Sequence, residues 1–476
     1  MSEIAGITNV LAERYSTSEM AHLWSAKGKI VLERELWLAV LQAQHDLGVT
    51  VTPGVIEDYQ QVIDNVDLES IAAREQITRH DVKARIEEFC ALGGHEHIHK
   101  AMTSRDLTEN VEQVQIRRGL ELLRVRIAAT LAQLGELAEQ YRSLALVART
   151  HHVPAQVTTM GKRFATAAEE LIQAFHRVEE LLERYPLRGI KGPVGTQQDQ
   201  LELLGSEELV DELERRVAEH LGFSQVLSSV GQIYPRSLDL DVVSALVQVA
   251  AGPSSLCTTL RLMAGADLAT EGFKEGQVGS SAMPHKMNAR SAERVDALTG
   301  ILRGHLTMVA GMAGRQWSEG DVSCSALRRV AMPDAFFAVD GVLATTQSVL
   351  SGFGLFPAVV TAELEKYLPF LATTRVLVAA MHAGTGREEA HEVIKEHAVA
   401  SALALRATGG ERSDLLDRLA GDSRIPLDGD ELRLCVSDPL ALSGNSGRQV
   451  DQVVEKIGIV LDAVPEAQTY SAEEVI

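Results

Sequence analysis

The chain has 476 residues, a formal charge of −21, 45% hydrophobic and 23% charged residues, and only 4% aromatics. That length calls for more than one hydrophobic core, since single cores stop growing at roughly 250 to 300 residues, and the scarcity of aromatics argues for helices over an aromatic-rich sandwich or barrel. The negative charge opposes phosphate backbones and no basic stripe offsets it, which excludes a nucleic-acid partner; an anionic small molecule stays open wherever a few Arg and Lys side chains converge.

The segment Met1 to Tyr15 carries Glu3 and Glu13 without an apolar run, so it does not read as a signal peptide. No stretch is expected to reach transmembrane length, and no membrane role is assigned. His95, His97 and His99 alternate, as imidazoles on one side of an extended segment would, but no Cys or carboxylate set completes a zinc site and no metal is expected. Between Gly54 and Val153 there is no proline, and Leu120, Leu123, Ile127, Leu131, Leu134, Ala138 and Tyr141 recur at three- and four-residue steps, which predicts a long helix suited to bundle packing.

A glycine-punctuated loop at Arg188 to Gln198 follows. A second helical run, Leu238, Val242, Leu246, Val249, Leu256, Leu260 and Met263, passes Pro253, which should kink it. After the Gly/Ser-rich stretch Glu275 to Asn288, a third long run follows Pro333. The pattern breaks at Phe356-Pro357 into shorter helices with connections such as Gly421 to Gly429. Cys90, Cys257, Cys324 and Cys435 have no paired spacing, which suits reduced, buried thiols in a cytoplasmic protein. The expectation is an all-α chain divided as 1–104, 105–357 and 358–476, with function in the loops between long helices.

The densest polar cluster is the loop 275–288. Gly276 and Gly279 permit unusual backbone angles and motion; Ser280, Ser281, Lys286 and Asn288 follow, with Glu293 in the next helix, whose first N–H groups are read as available to an anion. A Gly/Ser segment alone is most often a surface loop. The spacing Ser280-Ser281-x-Met283-Pro284-x-Lys286-x-Asn288-x-x-x-x-Glu293 nevertheless resembles the signature of the fumarase/aspartase superfamily. Further segments resemble the adenylosuccinate lyase family within it. These are Arg14-Tyr15 with Glu19-Met20, Arg79-His80-Asp81-Val82, Thr103-Ser104, Thr150-His151 before Pro154-Ala155-Gln156, Gly195-Thr196-Gln197, and Arg387-Glu388-Glu389-Ala390-His391, in that family's order.

The resemblance implies a three-domain all-α fold whose long central bundle assembles into a homotetramer with shared active sites, each built from three subunits. It implies β-elimination of fumarate from adenylosuccinate, and from the succinylated carboxamide ribotide SAICAR, with no cofactor. Ser280 is implied as the base and His151 as the general acid, with Glu293 holding the charged imidazole. Lys286 and Asn288 hold the carboxylate on which charge develops, Arg14 and Tyr15 meet the phosphate, and Thr103, Ser104, Thr150 and Gln197 meet the succinyl part. His80 and Asp81 bind, and Arg294, Ser325 and Arg329 are further binding candidates. A serine hydroxyl serves as base only where water is excluded and donors surround the oxyanion, which assigns loop closure a part in the mechanism; whether Ser280 or Ser281 carries the proton is left open by the residues, and the family pattern favours the first.

Two departures stand out. Ala289 occupies the place after Asn288 where relatives commonly have proline, and Gly320 stands in Trp317-Ser318-Glu319-Gly320-Asp321 where many have arginine, with Arg328 a candidate substitute. The alternatives are another fumarate-releasing member, argininosuccinate lyase-like or cycloisomerase-like, and a non-catalytic structural homologue.

Overall fold

In the computed structural model, the structure describes residues 8–272, 283, 285–410, 412–473 and 475. The chain begins with α1 (Val10–Arg14), α2 (Ser18–Leu23), α3 (Ala26–Asp46), α4 (Val55–Gln61), α5 (Leu68–Thr78) and α6 (Asp81–Gly93). Their starts follow local chemistry: the side chains of Asn9, Thr17, Ser25, Asp67 and His80 accept the orphan N–H groups of the first turns.

The long helix α7 (Ser104–Gln140) comes next, then a hairpin of β1 (Ala145–Thr150) and β2 (Val153–Thr159), and α8 (Met160–Arg184). After α9 (Gln198–Leu204) and α10 (Glu207–His220) come α11 (Ser237–Gly265), β3 (Ala269–Thr270), α12 (Arg290–Ala310), α13 (Ser325–Gly352) and β4 (Gly354–Leu355). The remainder is α14 (Pro357–Leu371), α15 (Thr373–His382), α16 (Arg387–Thr408), α17 (Leu415–Ala420), α18 (Gly429–Cys435) and α19 (Ser446–Ala463). The fold is all-α, as the composition implies; among the described residues the β structure is the β1–β2 hairpin, the two-residue pairing of β3 with β4, and one isolated bridge.

Helices α7, α8, α11, α12 and α13 pack side by side as the central bundle, and α19 returns against α7 and α8. Most of the buried apolar side chains form one cluster running through this bundle, while α15 to α18 enclose a smaller one around Val376, Val393, Leu415 and Leu432. The α7–α13 crossing is close because Gly119 faces Phe336: a Cβ there would lie 2.7 Å from the phenyl Cε1.

Three expectations need correction. Helix α11 is long and apolar enough to cross a membrane, contrary to the reading of the sequence, but it is packed by α8, α12 and α13 and more than half of its apolar stretch is buried. The third long helix starts at Ser325 rather than after Pro333, which lies inside it: the proline forgoes its own N–H bond and crowds the carbonyl one turn back without ending the helix. Cys90 is half-buried, whereas Cys257, Cys324 and Cys435 are buried.

Candidate functional site

Lys286, Asn288 and Glu293 line one cavity of about 860 Å³ at the head of α12, together with His285, Arg261 and Asp267. Lys286 is exposed and Asn288 half-buried. Glu293 faces Arg261 at 3.7 Å, and Arg261 is also held by Asp296 at 2.7 Å. Ser280, Ser281, Gly276, Gly279 and Pro284 lie outside the described residues. The first N–H groups of α12 are not open to an anion as expected: Glu271 accepts from Ser291 N at 2.9 Å and Ala292 N at 2.9 Å, so a side chain from the end of β3 already occupies the dipole's positive end.

Arg14 ends α1 and is exposed; Tyr15 is its half-buried C-cap. The Arg294 guanidinium lies over the Tyr15 ring, 5.6 Å from its centroid, so α12 joins the N-terminal segment to the cavity's edge. Burial lowers the Arg294 pKa, an effect the Tyr15 and Glu271 charges oppose. Asp340 of α13 fixes the segment behind Tyr15, accepting from Ser16 Oγ at 2.9 Å, Thr17 N at 2.7 Å and Thr17 Oγ1 at 3.0 Å while paired to Arg126 of α7.

Thr150 and His151 sit at the β1–β2 hairpin tip. Thr150 pairs with Val153, and the two turn residues, His151 at φ 51° and His152 at φ 61°, both take left-handed backbone, the sign pattern of a type I′ turn. Such turns favour Asn-Gly; a non-glycine residue there costs about 1 to 3 kcal/mol. Both imidazoles are exposed. Neither lines the cavity of Lys286 and Glu293, so the expected Glu293–His151 pairing is not made within the chain: Glu293 turns to Arg261 instead.

Thr103 caps α7 and Ser104 is its first residue. The Thr103 N–H donates to Asp106 Oδ2 at 2.8 Å, and Asp106 Oδ1 accepts from Arg188 Nη1 at 2.7 Å, Lys191 N at 2.9 Å and Gly192 N at 2.9 Å. The loop reached this way ends at Gln197, whose N–H donates to Lys191 O at 3.0 Å. Thr103 and Gln197 are thus linked through Asp106 and the loop it holds with Arg188, both fully buried, which the sequence reading missed. Asn110 and Gln113 extend the same face of α7, and polar residues at i, i+4 and i+7 of a helix otherwise buried are the signal that would have found them.

His80 caps α6, its Nδ1 accepting from Lys83 N at 3.3 Å. Asp81 and Arg329 line a second cavity of about 450 Å³ with Glu33, Arg85 and Glu112. Burial opposes charge on Asp81, but Arg85 at 3.1 Å and the Val82 N–H outweigh it and hold the carboxyl below its usual range. Glu33 is the reverse case: complete burial raises its pKa despite Arg85 at 2.7 Å. Arg329 is exposed, and Ser325 is the half-buried first residue of α13.

Arg328, the candidate for the cation missing at Gly320, lines the second cavity with Asp81 and Arg329 but is already paired. It is 5% exposed and consumed by Asp239 at 2.7 Å, by Glu112 and by the Tyr234 hydroxyl. Gly320 itself has φ 132°, and a Cβ there would meet Gln232 Cβ at 3.3 Å. The histidine trio disperses to separate partners: His95 Nε2 to Asp58 at 2.8 Å, His97 Nδ1 to Lys100 at 2.9 Å, and His99 Nδ1 to Trp37 at 3.0 Å.

Comparison with known proteins gives this arrangement its context. Residues 8–304 match the family described as Lyase, and residues 369–453 match the family described as Adenylosuccinate lyase C-terminus. The chain is 33% identical over 482 residues to the adenylosuccinate lyase of Saccharomyces cerevisiae, covering 100% of this chain and 99% of that one. It is 33% identical over 458 residues to the adenylosuccinate lyase of Schistosoma mansoni, covering 95% of each. The crystal structure of fumarate lyase from Mesorhizobium sp. BNC1 shares the fold, with a TM-score of 0.78 at 23% identity over 93% of this chain and 99% of that one. End-to-end similarity, two family matches and a shared helical fold make this chain a member of the adenylosuccinate lyase family, within the fumarase/aspartase superfamily.

Proposed function

We propose that the protein eliminates fumarate from adenylosuccinate to release AMP, and from SAICAR to release AICAR, within purine nucleotide synthesis in the cytoplasm. The observation that carries this is the 33% identity to an adenylosuccinate lyase along the whole chain. In this reading Ser280 takes the Cβ proton, Lys286 and Asn288 hold the carboxylate that accepts the resulting charge, and protonated His151 delivers its proton to the departing nitrogen. Arg14 and Tyr15 meet the phosphate, with Arg294, Ser325 and Arg329 as further binding residues and His80 and Asp81 contacting the substrate, while Thr103, Ser104, Thr150 and Gln197 hold the succinyl part. The three-part division 1–104, 105–357 and 358–476 is part of the same proposal.

A homotetramer with shared sites is supported by the separation of these groups on one chain. His151 stands exposed at a hairpin tip, Lys286 and Glu293 line one cavity, and Asp81 and Arg329 line another. An acid with no side-chain partner among the described residues fits a site completed by neighbours.

The test is incubation with adenylosuccinate, SAICAR and argininosuccinate in turn, following ultraviolet absorbance and fumarate. Fumarate release from the purine compounds is expected, and abolished in Ser280→Ala; release from argininosuccinate alone would overturn the substrate, and full turnover in Ser280→Ala the base. Mixed tetramers of inactive His151→Ala and inactive Ser280→Ala chains are expected to regain activity, and verified mixtures that stay inactive would overturn shared sites.

A further inference from the structure

The polar face at the start of α7 works as a fastener. Asp106, Asn110 and Gln113 project from successive turns and bond the backbone of the chain from Pro186 to Gly192: Asn110 exchanges two 2.9 Å bonds with Gly189, and Gln113 bonds Pro186 O at 2.8 Å and Arg188 N at 2.7 Å. Arg188, fully buried, returns to Asp106 and also donates to Gly192 O at 3.0 Å and Gly231 O at 3.1 Å. The loop has one path available. Gly195 sits at φ 85° where a Cβ would fall 1.8 Å from Val230 O, and Gln197 is held in left-handed backbone at φ 56°.

We infer that Asp106 is a positioning residue for the succinyl half of the substrate, setting the distance between the Thr103-Ser104 turn and Gln197. The inference rests on the reading that those three residues meet the succinyl part. Asp106 accepts four N–H groups, one from the Thr103 turn and three from the Arg188–Gly192 loop. A carboxylate is the side chain that accepts on both oxygens. The isosteric amide must turn its NH₂ toward one set, donor against donor, and so release either the turn or the loop while leaving Arg188 without its counter-charge. The nucleotide's anionic end meets other elements, α1, α12 and α13, which this fastener does not touch.

The experiment compares product inhibition in the full-length enzyme carrying Asp106→Asn or Asn110→Ala, using fumarate and AMP as separate probes. The fumarate inhibition constant is expected to rise on the order of 10- to 100-fold, as misplacements near 1 Å produce, while that of AMP stays unchanged. A parallel rise for both products, or no change for either, would overturn the positioning role, since a merely structural defect does not discriminate between halves of the substrate. Should Asp106→Asn fail to fold, Asn110→Ala, which removes uncharged bonds of the same fastener, carries the test alone. Ser104→Ala and Gln197→Ala are measured alongside. If neither weakens fumarate, the succinyl assignment itself is overturned; if they do and Asp106→Asn does not, only the positioning role falls.

Discussion

The Arg294 guanidinium is held between the Tyr15 ring, 5.6 Å away, and the carbonyl oxygen of Val475, to which Nη1 donates at 3.1 Å. Neither of these two contacts is a carboxylate, which leaves a cation suited to a phosphate. Arg294→Met is expected to raise the KM for adenylosuccinate about 10- to 100-fold, the range of a lost charged hydrogen bond of about 1.5 to 3 kcal/mol. Steady-state kinetics checks this, and an unchanged KM would remove Arg294 from the binding set.

Asp340 and Arg126 form a buried pair that also captures Ser16 and Thr17. Asp340→Ala leaves Arg126 buried without its main partner and frees the backbone behind Tyr15, so a loss of about 3 to 5 kcal/mol is expected. Denaturant unfolding measures it; a shift under about 1 kcal/mol, the scale of an exposed pair, would contradict the buried geometry.

His99 is half-buried, and desolvation lowers its pKa to about 4, with the imidazole accepting from the Trp37 indole. An unfolded histidine titrates near 6.5, so between pH 6.5 and 4 the unfolded chain binds a proton that the folded chain refuses. Stability is complete above about pH 6.5 and declines as pH falls toward 4, by up to about 3 kcal/mol. His99→Gln keeps an acceptor for the indole. Unfolding curves at pH 7.5 and pH 5 should show a smaller pH-dependent loss in this variant than in the parent, and equal losses would refute the assignment.

Gly320→Arg places the arginine that the family resemblance leads one to expect onto a φ of 132° with Gln232 against the new Cβ. The expected result is a lower melting temperature, reflecting about 1 to 3 kcal/mol of backbone strain, and no improvement in KM. Tighter substrate binding in Gly320→Arg would show that the turn adapts.

What the sequence revealed and what it hid divide along range. The helical stripe from Leu120 is a local pattern and runs along α7 to its C-cap, Tyr141. Lys286, Asn288 and Glu293 are close in sequence and line one cavity, so their association was legible. The hairpin at 145–159 was not, because its turn is His-His where sequence rules look for Asn-Gly, and its strands lack clean alternation. Asp106 and Arg188 are 82 positions apart, and nothing local marks a buried pair. Arg328 shows the converse: proximity to Gly320 in sequence made it a candidate substrate cation, whereas Asp239 and Glu112 had already claimed it.

The β1–β2 hairpin carries an irregularity between Ala148 and Arg149, where Ala148 faces Gln156 but Arg149 faces Pro154, leaving Ala155 unmatched. Side chains on a ribbon change face with every residue, so the parity of each arm decides which side of the ribbon His151 presents. Deleting Ala155 would remove the extra residue and, with it, the local bend and added twist that help set where the ribbon carries His151.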